Sequence, residues 1–156
     1  MAQQRLKALV ARLAQVTGDF TIQKQCKTAV ADAEILASLD EVMFCSSGCG
    51  GWSRRATLYG GDRSPGRDAA LLDPTKDAAR VRAMYTHPSF IRRGVGRLIL
   101  MLCEDAARRE GFTSVELMAA RAGEPLYRAC GFVAVEEVVD NRGGAGVPLL
   151  RMRKAL

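Results

Sequence analysis

Residues 85–97 combine glycines and arginines in a spacing that can bind an anion. The stretch reads Tyr-Thr-His-Pro-Ser-Phe-Ile-Arg-Arg-Gly-Val-Gly-Arg and leads into an apolar segment with helical spacing. Gly94 and Gly96 allow the backbone to approach a ligand, and they fall where the first free amides of a helix point outward. A phosphate there would be stabilised by those amides and by the helix dipole. The stretch therefore predicts a phosphate site, with an ordinary glycine turn as the alternative.

Three arginines, Arg92, Arg93 and Arg97, crowd the same turn. Cations oppose the dipole at a helix N-terminus, so a bound anion would turn a local cost into a gain. The formal net charge of +6 also favours a polyanionic partner, either nucleic acid or a phosphate-bearing small molecule. A nucleic-acid-binding sheet face would interleave aromatic with basic residues, yet aromatic residues make up only 6% of the chain. We therefore expect a small molecule and no nucleic acid.

The cysteines and the single histidine do not follow a metal-binding pattern. Five cysteines are an odd number without framework spacing, which is typical of reduced thiols in a cytosolic protein. Cys45 and Cys49 are the closest pair, but a zinc site needs two further ligands and His87 lies far away in the sequence. We expect neither a metal nor a disulfide.

The length of 156 residues and the composition are those of one globular domain. Hydrophobic residues make up 48% of the chain and charged residues 26%, which excludes a disordered acidic chain and a membrane bundle. No apolar run approaches the length of a membrane-spanning helix, and the N-terminus lacks the apolar core of a secretory signal. We expect a single domain over residues 1–156, in the cytoplasm and without a membrane partner.

The first part of the chain predicts helices followed by short strands. Residues 3–16 and 25–39 carry apolar side chains at helical spacing. Residues 42–45 and 55–59 are predicted strands, and Gly48, Gly50 and Gly51 are expected to break or bulge the chain before Trp52. Residues 60–76 are rich in breakers and charges and predict a long loop, either a substrate-side flap or a solvated excursion.

From residue 80 onward, strands and helices alternate around the glycine turn. Residues 80–86 alternate like a strand, the segment after Gly96 has a helical apolar stripe that ends at Gly111, and residues 113–118 are the next strand. This β-α-β unit predicts an α/β fold with a parallel or mixed sheet. A short helix at residues 124–129, a strand at 132–139, a turn at 141–146 and a strand at 147–152 complete the prediction.

Two motifs make the chain resemble the Gcn5-related N-acetyltransferases. The turn motif of that family, Gln/Arg-x-x-Gly-x-Gly/Ala, follows a strand with a hydrophobic-x-Pro ending, and here Thr86-His87-Pro88 precedes Ile91-Arg92-Arg93-Gly94-Val95-Gly96. The stretch Pro125-Leu126-Tyr127-Arg128-Ala129-Cys130-Gly131-Phe132 resembles the second hallmark, a tyrosine on a short helix before Gly-Phe. Each motif alone is weak, but the two in this order, separated by a helix and a strand, are fairly specific.

The resemblance covers about residues 50–156 and implies a central mixed β-sheet flanked by helices. The N-terminal helices at residues 3–39 depart from it, and no clear opening strand precedes them, so an incomplete sheet edge is one expectation. Ile91 stands where the turn motif has Gln or Arg, and Ala120 stands where many relatives carry Asn.

The resemblance implies acetyl-CoA as donor. Its pyrophosphate would lie on Arg92, Arg93, Gly94, Val95, Gly96 and Arg97. Its pantetheine arm would lie in a splay between the strands at residues 80–86 and 113–118, bonded to backbone groups of Met84, Tyr85 and Thr86, as a cofactor added to a strand edge. An amide of the same strand would polarise the thioester carbonyl.

The implied chemistry is direct attack of a primary amine on the thioester in a ternary complex. Tyr127 is the expected acid for the leaving thiolate, because an ordinary phenol is only a little weaker as an acid than a thiol. Glu116 and Glu124 are considered as bases but favoured as solvated charges, and His87 is favoured as a turn hydrogen-bond partner. Cys130 is expected in the core, without a nucleophilic role.

Two functions from different classes remain open at this point. The chain is either an N-acetyltransferase or a catalytically weak sensor that binds acetyl-CoA without turnover, which the irregular N-terminal part would favour. The acceptor amine, the general base and a homodimeric state are not specified by the sequence.

Overall fold

The computed structural model describes residues 21–23, 41–45, 47–59, 68, 70–141 and 144–156. The helices predicted at residues 3–16 and 25–39, and most of the loop predicted at residues 60–76, lie outside the described residues.

The described residues form a seven-stranded sheet with two α-helices and one 3-10 turn. The strands are β1 Thr21–Gln23, β2 Glu41–Cys45, β3 Gly48–Ser53, β4 Ala79–Thr86, β5 Ser114–Ala120, β6 Val133–Asp140 and β7 Val147–Ala155. The helices are α1 Val95–Arg109 and α2 Glu124–Ala129, and the 3-10 turn is Pro88–Phe90. The strand, helix, strand and short-helix predictions from residue 80 onward are confirmed, with β7 three residues longer than predicted.

The sheet is mixed, as the sequence predicted. Its strand order is β1-β2-β3-β4-β5-β7-β6, and the only parallel neighbours among these strands are β4 and β5. The last strand β7 lies between β5 and β6, so the β6–β7 hairpin folds back to put β6 at one edge. The other edge continues through β2 to β1, a strand that the sequence did not predict.

Gly48, Gly50 and Gly51 were expected to break or bulge the chain before Trp52, but they lie within the continuous strand β3, and the irregular pairing comes from an extra residue on β4. Cys49 pairs with Tyr85 and Gly51 with Arg82, which leaves Gly50 alone opposite Ala83 and Met84. A Cβ on Gly50 would lie 2.5 Å from Met84 Sδ and 2.7 Å from Ile99 Cγ2, so only glycine fits between β4 and α1 here.

The strand predicted at residues 55–59 is wrong. Only a single antiparallel bridge, between Arg55 and Leu71, joins this segment to residues 70–72. The Arg55 amide donates to Ser53 Oγ at 3.0 Å. That local side-chain bond offers the backbone an alternative to a strand ladder and turns the chain after β3.

The apolar face of α1 packs on one face of the sheet, called the first face below. Buried there are Trp52, Val81, Ile99, Leu102, Phe112, Val115, Leu117 and Met152. Each such side chain contributes about 1.5–3 kcal/mol relative to leaving it exposed. The helix ends where Gly111 adopts a φ of 89°, as predicted. This packing fixes the start of α1 against β3 and β4, and the candidate site lies at that junction.

Candidate active site

The strands β4 and β5 are paired only at their beginnings. Ala79 pairs with Val115 and Arg80 with Glu116, and no further pairs join the two strands in the described part of the chain. From Val81 onward, the edge of β4 that faces β5 therefore lacks a strand partner, while its other edge stays bonded to β3. Such an edge can accept an extended ligand through backbone hydrogen bonds. Met84, Tyr85 and Thr86 lie on this open stretch.

A β-bulge lies within the same stretch of β4. Ala83 has a φ of 55°, in the left-handed region, although it is not a glycine. This conformation costs an L-residue about 1–2 kcal/mol, and it persists only where surrounding contacts hold it. On the neighbouring strand β3, the Cys49 thiol lies 3.7 Å from the Ala83 carbonyl oxygen and donates to it. The bulge re-aims the backbone groups that follow it, as bulges beside active sites do.

The glycine turn connects β4 to α1 and presents free helix amides. Gly94 is the N-cap, with a φ of 85°, and the first helical bond of α1 runs from the Leu98 amide to the Gly94 carbonyl oxygen at 3.0 Å. The amides of Gly94, Val95, Gly96 and Arg97 therefore precede the intrahelical ladder. The first turn of α1 contains no acidic residue and no side-chain cap. An anion would find unsatisfied donors and a favourable dipole here.

The two glycines of the turn have different structural roles. A Cβ added to Gly94 would meet nothing within 4 Å, so Gly94 is needed for its φ and leaves its outer side open. A Cβ added to Gly96 would lie 3.1 Å from Leu126 Cδ2 and 3.3 Å from Thr86 Oγ1. Gly96 therefore lets α1 approach both α2 and the end of β4.

The side chains around the turn are exposed cations held by local contacts. The guanidinium carbon of Arg93 lies 5.3 Å from the centre of the Phe90 ring. Arg97 Nη2 donates to the Ala129 carbonyl oxygen at 3.4 Å, which connects the turn to α2. Arg92 adopts a φ of 61° and is exposed. The His87 ring accepts a hydrogen bond from the Ser89 amide through Nδ1 at 3.2 Å, so its predicted role in the turn is confirmed.

Tyr127 is the buried residue of α2 and packs against the first face. It is 7% exposed, and its ring meets the Phe132 ring edge-on with centroids 6.0 Å apart. A Cβ on Gly123 would lie only 2.8 Å from the Tyr127 ring, so the glycine before α2 makes room for the phenol. Burial, together with the nearby Cys103 and Cys130 thiols, raises the pKa of Tyr127 to about 12. The phenol is therefore protonated at neutral pH and can donate a proton.

The two glutamates considered as bases have different surroundings. Glu116 was expected to be solvated, but this is wrong, because it is 6% exposed and bonded to Arg80, with Arg153 Nη1 3.7 Å from its Oε1. Strand pairing brings both arginines beside it, since Arg80 and Arg153 are its register partners on β4 and β7. Glu124 pairs with Arg128 at 2.7 Å on the surface of α2, as i,i+4 neighbours do.

Cys130 is partly buried against the core, as predicted. Burial is the main cause that raises the pKa of its thiol. Because the thiolate is the nucleophilic form, this environment gives Cys130 low reactivity.

The described residues carry neither a candidate metal site nor a candidate membrane-spanning helix. No group of three or more His, Cys, Asp or Glu side chains within them could hold a metal ion. Neither described helix is long and apolar enough to cross a membrane.

The features that the sequence missed are backbone and pairing features. The bulge at Ala83 leaves no signature in an alanine, and the burial of Glu116 depends on β7 lying beside β5. The alternation of arginines in residues 80–82 and 151–153 was the only signal for a charged sheet face.

Comparison with known proteins gives one family match and many similar folds. A model of the acetyltransferase (GNAT) domain family matches residues 70–156. No curated protein sequence matches the chain significantly.

Solved structures of acetyltransferases share the fold at low sequence identity. An IAA acetyltransferase from Bacillus cereus is 13% identical over 88% of this chain and 100% of its own, with a TM-score of 0.56. Ard1 from Thermoplasma volcanium is 15% identical over 88% of this chain and 97% of its own, with a TM-score of 0.57. A GNAT family acetyltransferase from Elizabethkingia anophelis, solved with acetyl-CoA bound, is 11% identical over 88% of this chain and 98% of its own, with a TM-score of 0.55.

Proposed function

Because the chain belongs to the GNAT acetyltransferase family, through the match over residues 70–156, we propose that it transfers the acetyl group of acetyl-CoA to a primary amine. The observation that carries the proposal is the junction of two features. The open edge of β4 begins after Arg80, and the free amides at the start of α1 lie at the other end of the same strand and turn. A long donor with a phosphate part and an amide-containing arm matches both features.

The donor's pyrophosphate is assigned to the start of α1. The amides of Gly94, Val95, Gly96 and Arg97 would bind its oxygens, and Arg92 and Arg93 would add charge from the preceding turn. The exposed position of these arginines suits a ligand that arrives from solvent. The crystal structure of the Elizabethkingia relative was solved with acetyl-CoA, which supports the same donor for this fold.

The donor's extended arm is assigned to the open edge of β4. Along Met84, Tyr85 and Thr86, β4 has no strand partner on its β5 side within the described residues, and backbone groups there would bond the amides of the arm. The bulge at Ala83 lies in this stretch, and an amide that follows it is proposed to stabilise the oxyanion that develops on the thioester carbonyl.

The reaction is direct transfer between donor and acceptor. The neutral amine attacks the thioester carbonyl carbon, the tetrahedral oxyanion collapses, and the carbon–sulfur bond breaks. Tyr127 gives its phenolic proton to the departing sulfur and is reprotonated from solvent. Its pKa near 12 against an ordinary thiol near 8.5 would make this proton transfer uphill by about 5 kcal/mol. Burial next to the phenol would also raise the pKa of the CoA thiol, which would reduce the difference between the two pKa values.

No side chain of the described site is assigned as the base. Glu116 is held by two arginines and Glu124 by Arg128, so water is the proposed carrier of the amine proton.

The proposal is tested by measuring thiol release from acetyl-CoA with a panel of amines, amino acids and peptides, alongside calorimetric titration of acetyl-CoA. Amine-dependent thiol release, with an acetylated product found by mass spectrometry, is the expected result. Binding of acetyl-CoA without release above hydrolysis for any amine would instead support the sensor function. Absence of binding would overturn both.

A further inference from the structure

The bulge in β4 changes which residues of this strand face α1. Alternation along a strand places side chains of like parity on one face of a sheet. Before the bulge, Val81 is buried in the core on the first face, so the odd-numbered residues face α1 there. Beyond the bulge, Met84 packs against that core, and Thr86 Oγ1 lies 3.3 Å from the position of a Cβ on Gly96 of α1. The even-numbered residues therefore face α1 here, and Tyr85 lies on the opposite face, called the second face below.

Tyr85 is an exposed aromatic residue beside the gap between β4 and β5. It is 55% exposed, and it pairs with Cys49 of β3 on the other edge of β4. On its β5 side, β4 has no strand partner at this level within the described residues. A single exposed aromatic residue is common on protein surfaces, so the place of Tyr85 at the gap is what indicates a role.

The β5 side of the gap presents small or apolar side chains on the second face. Counting from the last β4–β5 pair, and allowing for the extra residue of the bulge, Tyr85 comes level with Ala120. Leu117, of odd parity on β5, is buried in the core on the first face, so Met118 and Ala120 lie on the second face with Tyr85. Ala120 is exposed, and its side chain is a single methyl group, which leaves space across the gap from the ring.

The first face is occupied at this end of β4. The start of α1 lies against Thr86 through Gly96, and Tyr127 is buried on the same face. These are the parts assigned to the donor's pyrophosphate and to the leaving thiolate. An acceptor amine that reaches the thioester from the other side therefore approaches along the second face, past Tyr85 and Ala120.

From this placement we infer that Tyr85 determines acceptor specificity, because its ring binds an aromatic group close to the amine of the acceptor. Aromatic rings pack edge-on or offset on one another and gain more than the area that they bury. An arylalkylamine and a peptide with an aromatic N-terminal residue both carry this chemistry. The backbone of Tyr85 is assigned to the donor's arm, so its side chain would hold the acceptor within reach of the same thioester. This inference rests on the proposed acetyl transfer and names its substrate class.

The experiment compares matched acceptors by kcat/KM. 2-Phenylethylamine is paired with ethanolamine, and the peptide Phe-Ala-Ala-amide is paired with Ser-Ala-Ala-amide. The aromatic member of one pair is expected to be the better acceptor by about tenfold or more, the size expected when an aromatic group is buried. The pair that shows the preference identifies the small amine or the peptide as the source of the aromatic group. Equal kcat/KM values within both pairs would overturn the inference.

Variants assign the preference to Tyr85. Both acceptors of a pair use the same donor, so any change in donor binding cancels from the ratio of their kcat/KM values. Tyr85→Ala should lower this ratio about tenfold, whereas Tyr85→Phe should keep it within about twofold, because the ring makes the contact and the hydroxyl does not. Ala120→Leu fills the space across the gap from the ring and should also lower the ratio.

Val147→Ala is the matched control. Val147 is 49% exposed and lies on the second face, because Lys154, of opposite parity on β7, bonds Glu104 of α1. The strand β5 separates β7 from the gap, so the loss of this exposed apolar side chain should leave the ratio unchanged.

A binding measurement keeps the inference testable if turnover is slow. N-acetyl-2-phenylethylamine and N-acetylethanolamine are titrated calorimetrically into the protein saturated with CoA, with the two N-acetylated peptides as a second pair. Tighter binding of an aromatic product, kept in Tyr85→Phe and lost in Tyr85→Ala, supports the site. Equal binding of both members, no binding of either, or a preference that Tyr85→Ala retains overturns the inference while leaving acetyl transfer intact. Absence of acetyl-CoA binding to the wild type would overturn the proposed function instead.

Discussion

Gly96 of α1 faces Leu126 of α2 so closely that a Cβ on the glycine would lie 3.1 Å from Leu126 Cδ2. The same Cβ would lie 3.3 Å from Thr86 Oγ1 at the end of β4. One missing methyl group therefore sets the distance between the helix that would bind the pyrophosphate, the helix that carries Tyr127 and the strand that would bind the donor's arm.

Gly96→Ala should lower the free energy of unfolding by about 1 kcal/mol. Overpacking costs about 1–3 kcal/mol, and the gain in helix propensity from alanine offsets up to about 1 kcal/mol of it. Denaturant unfolding of the wild type, Gly96→Ala, Leu126→Ala and the double variant measures the coupling. The alanine at position 96 should cost less once Leu126 is shortened. Additive effects within about 0.5 kcal/mol would show that the two side chains do not compete for this space.

Arg93→Glu should weaken acetyl-CoA binding about 10- to 100-fold. The change removes a cation from the start of α1 and adds a charge that repels phosphate, and a hydrogen bond to a charged group contributes about 1.5–3 kcal/mol. Calorimetric titration measures the effect. Arg108→Glu, at the far end of the same helix, reverses the same charge and is the control. Equal affinities in both variants would mean that overall charge, rather than the turn, attracts the donor.

Tyr127→Phe should reduce turnover about 100-fold while acetyl-CoA affinity stays within about twofold. The ring, its contact with Phe132 and the room left by Gly123 are all retained, so only the proton donor is lost. Steady-state kinetics and calorimetry on the same preparations separate the two effects. Turnover equal to that of the wild type would remove Tyr127 from the acid role.

Local patterns in the sequence predicted the elements around the site but not the contacts that complete it. The alternation before His87, the glycine turn and the apolar stripe located β4, α1 and β5, and α2 was predicted at the residues where it occurs. Sequence spacing works here because each element carries its own period.

Features set by distant pairing could not be predicted in this way. The three-residue β1 is too short to show a period. The residues after Arg55 have the composition of a strand, but the Arg55 amide donates to the Ser53 side chain and the chain turns there. The burial of Glu116 arises only once β7 inserts between β5 and β6. The positive φ of Ala83 likewise follows from the pairing of β4 with β3 and not from its residue type.

Glu116→Gln should destabilise the protein by about 3 kcal/mol without abolishing turnover. Glu116 is buried, and its removal leaves the largely buried Arg80 without its counter-charge, which is costly for a buried pair. Thermal unfolding and turnover at a temperature well below the transition measure the two properties. Glu124→Gln, which breaks an exposed pair, is the control and should change stability by less than about 1 kcal/mol. A large loss of turnover with unchanged stability would identify Glu116 as the base instead.

The pKa of Tyr127 predicts a loss of stability at alkaline pH. Between pH 10 and about 12 the phenol is ionised in the unfolded chain but stays protonated in the folded protein, because burial raises its pKa to about 12. The folded state then holds more protons than the unfolded state, so the free energy of unfolding falls as pH rises. Two pKa units correspond to a loss of about 3 kcal/mol. Denaturant unfolding between pH 9 and pH 11.5 should show about 2 kcal/mol of this loss in the wild type, because pH 11.5 is still below the folded-state pKa. The loss should be smaller by that amount in Tyr127→Phe, since the other titrating groups are common to both proteins. Parallel pH profiles for the two proteins would mean that the phenol is solvated and titrates normally.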